Sequence, residues 1–380
     1  MPVPIGLYLH VPFCHRICSY CDFAVTTARK YFSTYAQAVI KEASLLNASA
    51  VQSPLATLYV GGGTPSFLPE TEWRLIMRCV SDTFFTGNAS ERTLEVNPSD
   101  VNPESANVWR QLGFNRLSLG VQSFKDDELK FLTRNHDAGE AERAFFTARD
   151  AGFQNINLDL IFGLPHQSLQ DWEYSLDIAI RLRPEHLSVY NLTVEDGTYL
   201  HKQVTRNLIR LPDDEHQLTL FLRAKQHLEQ AGYDHYEISN YARTGYRSAH
   251  NSAYWAGRSY LGLGPSAHSY DGTARWWNIR DVADYIHQLQ NGRLPIETRE
   301  ELTREQRMME RILLGLRQKD GLDIADFEAQ FGCRFASMFA AGLEASRGRY
   351  VIDGGRMRLT PEGMFVTNAV CRSLTNCIAV

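Results

Sequence analysis

The chain of 380 residues contains no run of eighteen apolar residues, so nothing in it reads as a membrane-spanning helix. It also lacks a positive excess. Its 39 lysines and arginines stand against 44 acids, a net charge of −5, which offers no footprint for nucleic acid. Residues 1–9 lack the basic region and apolar stretch of a secretion or transit leader, so a cytoplasmic location is expected. Low-complexity tracts are missing, as are repeats other than strand–helix units. Cysteine is scarce: the seven present are an odd number, and three of them crowd between positions 14 and 21. In a reducing compartment such a group reads as metal-binding or catalytic before it reads as disulfides. The second C-x2-C knuckle that usually completes a structural zinc site is absent.

What remains is an ordinary globular composition, 44% hydrophobic and 22% charged, in a chain too long for one compact core. Apolar, β-branched runs fall at Ile5–His10, Thr57–Val60, Thr93–Val96, Arg116–Val121, Ile156–Phe162 and Leu187–Leu192. Helical spacing separates or follows them at Tyr35–Leu46, Glu70–Val80, Ala138–Ala151, Leu169–Arg181 and Asp213–Gln230. Six βα repeats in series predict an α/β fold, a partial (β/α)6 TIM-like barrel over residues 1–240; eight repeats would close a full barrel. A doubly wound sheet fits the same pattern. In both, the active site belongs at the C-terminal ends of the strands. Residues 241–300 are rich in Gly, Tyr and Trp and weakly periodic, which predicts a connecting segment. Residues 301–380 predict a smaller C-terminal α/β, winged-helix-like domain. Its helices are expected at Arg304–Gln318, Ile324–Phe331 and Arg334–Ser346, and a hairpin is expected around Asp353-Gly354-Gly355. Without a basic excess, the expected role of this domain is to cover the open side of the barrel.

Cys14, Cys18 and Cys21 form C-x3-C-x2-C immediately after the first strand. Three thiolates can hold three irons of a cubane and leave the fourth open; a zinc site completed by His10, His15 or Asp22, and three unrelated reduced cysteines, are the alternatives. Cys79, Cys333, Cys371 and Cys377 fit no motif. Other candidates sit at strand ends. In Gly61-Gly62-Gly63-Thr64-Pro65 the missing side chains would let backbone approach a ligand. The Glu95 carboxylate could meet a ribose hydroxyl or an ammonium, and Gln122 could hydrogen-bond a ligand. Asp159 lies within an apolar run and needs a partner; Arg134 is an available one.

The C-x3-C-x2-C block in this position resembles the signature of the radical S-adenosylmethionine (SAM) superfamily. The resemblance implies a [4Fe-4S] cluster on Cys14, Cys18 and Cys21, with SAM chelating the open iron and an electron donor feeding the cluster. Over most of the chain further blocks follow in the order of the oxygen-independent coproporphyrinogen III oxidase family. These are Tyr8-x-His10-x-Pro12-Phe13-Cys14, Gly61–Pro65, Glu95–Pro98, Gly120–Phe124, Arg134, Asn157-Leu158-Asp159 and Gly163-Leu164-Pro165. That resemblance implies SAM contacts at Tyr8, Tyr20, Gly61, Gly62, Gly63, Thr64, Glu95, Gln122, Arg134 and Asp159.

The family has a dehydrogenase arm and a heme chaperone arm. The dehydrogenase signature carries another cysteine where Phe23 stands, and those enzymes have a long segment ahead of the cluster, where this chain has thirteen residues. His250-Asn251-Ser252-Ala253-Tyr254-Trp255 is similar to the H-N-x-x-Y-W motif of the chaperones. The resemblance therefore implies heme as a ligand, contacts at His250, Tyr254 and Trp255, and delivery to an acceptor protein that the sequence does not identify. Imidazole is a common axial ligand, and Tyr and Trp offer flat apolar faces to a porphyrin. Taken alone, His250 reads better as a hydrogen-bonded core histidine, and only the resemblance reverses that. His268 is a second candidate ligand, and Arg275, beside Trp276 and Trp277, a candidate partner for a propionate. Whether SAM is cleaved stays open. A radical SAM enzyme acting on a porphyrin is the alternative, with coproporphyrinogen oxidation disfavoured by Phe23. No amphipathic anchor is visible, so membrane contact is expected to be transient at most.

Overall fold

In the computed structural model, which describes residues 5–47, 55–84 and 90–378, strict alternation decides which face of each barrel strand meets the helices. The strands are β1 (Ile5–Val11), β2 (Leu55–Gly62), β3 (Glu91–Val96), β4 (Arg116–Gln122), β5 (Ile156–Phe162) and β6 (His186–Asn191). They pair in parallel in chain order. Leu7, Leu9, Leu58, Val60, Leu94, Leu117, Leu119, Leu158, Leu160 and Leu187 belong to one continuous buried core. The helices that cover them are α1 (Phe32–Asn47), α2 (Glu70–Phe84), α3 (Pro103–Gln111), α4 (Asp126–Phe131), α5 (Ala138–Asp150), α6 (Leu169–Leu182), α7 (Tyr199–Thr205) and α8 (Asp214–Gln230). Parallel strands need such crossovers, and their apolar faces are buried by them.

Helix α3 has only two buried side chains, Ala106 and Trp109, so its apolar periodicity is too thin to read. Its signal lies in its start: Asn102 and Ser105 form a capping box with Pro103 in the first turn. The expected helix Arg334–Ser346 is instead two short helices that break at Phe339, whose ring is wholly buried.

Residues 241–300 hold far more order than a connector. After β7 (Asp234–Glu237) come β8 (Asn240–Ala242), α9 (Ala249–Trp255), β9 (Tyr260–Leu263), β10 (His268–Tyr270), β11 (Ala274–Asn278), α10 (Val282–Gln290) and β12 (Ile296–Glu301). Among the described residues they extend the six strands into a twelve-stranded sheet, ordered β12-β11-β10-β9-β1-β2-β3-β4-β5-β6-β8-β7. β9 runs parallel to β1, and the remaining added pairs are antiparallel. These strands are three to six residues long, too short to show a period.

The last eighty residues build a second core around Met308, Ile312, Phe327, Phe335, Phe339, Met357 and Leu374. They form α11 (Arg304–Leu316), β13 (Leu322–Asp323), α12 (Ile324–Phe331), α13 (Phe335–Met338), α14 (Ala340–Ala345), β14 (Tyr350–Asp353), β15 (Arg356–Leu359), α15 (Pro361–Phe365) and α16 (Thr367–Thr375). The expected hairpin is β14–β15; β13 joins it as a third strand, in the order β13-β15-β14. Among the described residues no helix is long and apolar enough to cross a membrane.

Candidate active site and an adjoining cavity

The strand positions facing away from the helices are polar, and they set the chemistry. Thr57, Thr93, Arg116, Ser118, Asn157, His186 and Ser188 are all buried. Several of them bond one another: Asn157 Nδ2 donates to Ser118 Oγ at 2.6 Å, and His186 Nδ1 lies 2.6 Å from Asn157 Oδ1. Nearer the C-terminal ends this polar lining opens into a cavity of about 480 Å3.

The cysteine loop forms one wall of that cavity. Phe13, fully buried edge-on against Phe32 and Tyr35, fixes the loop's entry. Reciprocal backbone bonds close its base, Cys14 N–H to Thr26 O at 3.0 Å and Thr26 N–H to Pro12 O at 2.7 Å. Its middle is held by the His15–Asp100 contact at 2.7 Å and by Ser19 N–H donating to Thr133 Oγ1 at 3.0 Å. Cys14, Cys18 and Cys21 all face the cavity. Burial pushes the Cys14 thiol up to about 12 and raises that of Cys21; each neighbouring thiolate adds to the rise, and Arg134 opposes it. Arg134 Nη1 approaches Cys18 Sγ at 3.6 Å, so the loop already has a cation beside its sulfurs.

This donor set suits a multi-iron cluster. Among the described residues no group of three His, Cys, Asp or Glu is already drawn together as a metal site. The side chains considered as a fourth zinc ligand are occupied elsewhere in two cases: His10 bonds Ala24 O and Tyr8, and His15 bonds Asp100.

Of the residues expected around SAM, Tyr20, Gly62, Gly63, Thr64, Glu95, Gln122, Arg134 and Asp159 line the cavity. Glu95 accepts from Tyr59 Oη at 2.8 Å and from Gly62 N–H at 3.1 Å. Burial and the charge of Asp159 raise its carboxyl to about 7. Gln122 sits at φ 70° with its side chain on the cavity, a backbone conformation costly for any residue but glycine. Arg134 donates Nη2 to Gly120 O at 2.7 Å, while its Nε is buried without a partner.

Three residues sit otherwise than the sequence alone suggests. Tyr8 lies outside this cavity and lines the adjoining one. Gly61 touches neither; a Cβ there would stand 2.7 Å from the Glu95 carboxylate, so the glycine makes room for a side chain of the protein. Asp159 does not pair with Arg134. It accepts from Asn157 Nδ2 at 2.8 Å and Ser118 Oγ at 3.1 Å, because the inner faces of β4 and β5 already bring those donors to it.

The adjoining cavity, of about 950 Å3, lies between the sheet, α9, β9–β11 and helices α11 and α12 of the last domain. Its walls are aromatic and basic, with Tyr254, Trp255, Tyr260 and Tyr270 on one side and Arg258, Arg275, Arg307 and Arg311 around it. His250, although at this wall, is 1% exposed with both ring nitrogens engaged. Nδ1 lies 2.8 Å from Thr57 Oγ1 and Nε2 lies 2.9 Å from Tyr254 Oη. Burial lowers its pKa to about 3. The core-histidine reading is therefore the one the geometry fits, with neither ring nitrogen free. Arg275 pairs with Glu310 at 2.8 Å, while its Nε is buried without a partner. Trp255 lies under the Arg317 guanidinium, 4.7 Å from the ring centre.

Asp22, Phe23, Tyr59 and Tyr190 line both cavities and so form their common wall. Tyr59 and Tyr190, together with Arg258 and Arg307, escaped the sequence reading. The first two occupy inward positions of apolar runs, where the period-two interruption by polar residues was the available signal. The arginines come from segments far apart in the chain, and nothing local marks them.

Residues 8–179 match the model of the radical SAM superfamily, and residues 302–366 match that of the HemN C-terminal domain. The chain is 35% identical over 372 residues to a heme chaperone HemW of Bacillus subtilis, covering 96% of this chain and 97% of that protein. It is 36% identical over 375 residues to a heme chaperone HemW of Mycobacterium tuberculosis, covering 98% and 95%. Among solved structures it resembles the coproporphyrinogen III oxidase HemN of Escherichia coli, described as a radical SAM enzyme. There the TM-score is 0.85 and the identity 26%, covering 98% of this chain and 90% of that one.

Proposed function

This chain belongs to the radical SAM superfamily and, within it, to the heme chaperone HemW family, and on that premise we propose that it binds heme and hands it to an acceptor protein. The observation that carries the reading is the pair of adjoining cavities: a cysteine-lined one of about 480 Å3, and an aromatic, arginine-rich one of about 950 Å3. The larger is within the size range of cofactor sites, roughly 300–1,000 Å3. It has apolar faces for a macrocycle and cations for carboxylates.

In this reading Cys14, Cys18 and Cys21 hold the [4Fe-4S] cluster and the rest of the smaller cavity holds SAM. When bound, the reduced cluster supplies single electrons to its open-iron ligand. The protein's own groups suit that ligand. The partnerless Nε of Arg134 is a donor waiting for an acceptor, as a SAM carboxylate would be. Glu95 and Asp159 are two buried carboxyls, both raised by burial, with the charge of Asp159 raising Glu95 further, and a cationic ligand would relieve both. Arg134 also opposes protonation of the thiols that iron must displace. Heme in the larger cavity would then meet the SAM site across Phe23, Tyr59 and Tyr190, which couples cargo and cofactor through one wall.

The test is an anaerobic titration of hemin into the reconstituted full chain, followed at the Soret band, with coproporphyrinogen III turnover assayed in parallel. Saturable one-to-one binding without turnover is expected. A chain that consumes coproporphyrinogen III in a SAM-dependent reaction and binds no heme would overturn the chaperone reading.

A further inference from the structure

Three histidines line the larger cavity, and they differ in what their ring nitrogens already do. His10 gives both to the protein: Nδ1 lies 3.1 Å from Tyr8 Oη and Nε2 lies 2.9 Å from Ala24 O. His250 does the same with Thr57 and Tyr254. A ligating imidazole needs one nitrogen bare, and baring either of these would leave a buried hydroxyl or carbonyl unpaired. His268 is built differently. It stands on β10 with an exposed side chain, opposite Trp277 of β11 in the ladder, and its ring stacks on that indole at 5.4 Å and 26°. Neither of its nitrogens has a hydrogen-bond partner among the described residues. Strand pairing and stacking thus fix the ring while both donor atoms stay open.

The basic residues around the cavity sort the same way. Arg275 pairs with Glu310 at 2.8 Å, Arg311 with Asp326 at 2.7 Å, and Arg280 bonds the carbonyl of Asp22. Arg258, just after α9, and Arg307, on α11, line the cavity with no acidic partner among the described residues. Two guanidiniums without acidic partners, one just after α9 and one on α11, match a flat ligand with two carboxylates at one edge.

Resting on the heme reading of this cavity, the geometry points to His268 as the axial ligand of the heme iron, with Arg258 and Arg307 receiving the propionates. His250 is a positioning residue: it ties Tyr254 of α9 to Thr57 of β2 and so holds the aromatic wall in place.

The experiment uses the full chain with its cluster reconstituted, hemin as the probe, and Soret and electron paramagnetic resonance spectra as the readout. His268→Ala should keep the cluster absorption and change the iron's spin state. It should also weaken hemin binding at least roughly tenfold, since even outer-sphere supports of metal sites are worth that much. Added imidazole should restore the spectrum. His250→Gln, which keeps a hydrogen-bonding side chain between Thr57 and Tyr254, should leave the wild-type heme spectrum intact. Arg258→Ala combined with Arg307→Ala should weaken hemin binding and leave the dimethyl ester of heme unaffected. An unchanged spectrum in His268→Ala overturns the ligand assignment, whichever other variant loses it. Equal loss of hemin and its ester in the arginine variant overturns the propionate assignment. Failure of the wild-type chain to bind hemin at all would instead remove the heme reading on which both rest.

Discussion

Tyr59 donates its hydroxyl to the Glu95 carboxylate at 2.8 Å while its ring stands in the wall between the two cavities. The ring also stacks on His250, 5.1 Å between centroids. One side chain thus touches a carboxylate of the smaller site and the histidine that braces the larger one.

Tyr59→Phe keeps the ring and removes the donor, leaving the Gly62 N–H as the hydrogen bond to Glu95. A hydrogen bond to a charged group is worth roughly 1.5–3 kcal/mol. We expect SAM binding, measured by equilibrium dialysis on the reconstituted chain, to weaken by about one to two orders of magnitude. Wild-type affinity in the variant would mean that Glu95 does not meet the ligand.

Glu91, at the start of β3, accepts from Ser248 Oγ at 3.3 Å, Ala249 N–H at 2.9 Å and His250 N–H at 3.0 Å. It therefore caps α9 from across the sheet, where the helix N-terminus favours negative charge. Glu91→Ala should cost on the order of 3 kcal/mol in urea unfolding and should loosen heme binding more than SAM binding. Equal loss of both would show that α9 is not the element released.

The cluster assignment makes a simpler prediction. Changing Cys14, Cys18 and Cys21 together to Ala should abolish the brown absorbance of the reconstituted chain while leaving its far-ultraviolet circular dichroism unchanged. Two of these side chains carry thiols raised by burial, so their removal relieves no ionised group in the metal-free fold. A triple variant that stays brown refutes the site.

Burial raises the Glu95 carboxyl to about 7 from its ordinary 4.5. The folded chain holds a proton there that the unfolded chain releases above about pH 4.5. This group's contribution is therefore fully present below pH 4.5 and is lost as pH rises to about 7, by up to roughly 3 kcal/mol. His10, lowered to about 4, and His250, lowered to about 3, act the opposite way, costing stability as pH falls below about 6.5. The difference between Glu95→Gln and wild type isolates the carboxyl. The ligand-free variant should melt higher than wild type at pH 8, with the gap closing by pH 4.5. A gap independent of pH would mean that Glu95 is ionised throughout.

Much of this was legible in the sequence because local rules are strong where the chain repeats itself. Six apolar runs, each buried on its helix side, announced six parallel strands, and cysteine spacing after the first of them marked the candidate cluster site. Most of the SAM contacts that the family blocks implied line the smaller cavity. What the sequence could not carry depends on pairing between distant segments. Strands of three to six residues in 241–300 have no period of their own and exist because β1 and β6 offer open edges. His250 and His268 are both single histidines near aromatic residues, and no pattern in the chain separates them. The fold does, by setting Thr57 and Tyr254 on the two nitrogens of one and only the face of Trp277 against the other. Residue type decides which chemistry is available, whereas burial and hydrogen-bond satisfaction decide which side chain is left free to perform it, and those are properties of the packed molecule alone.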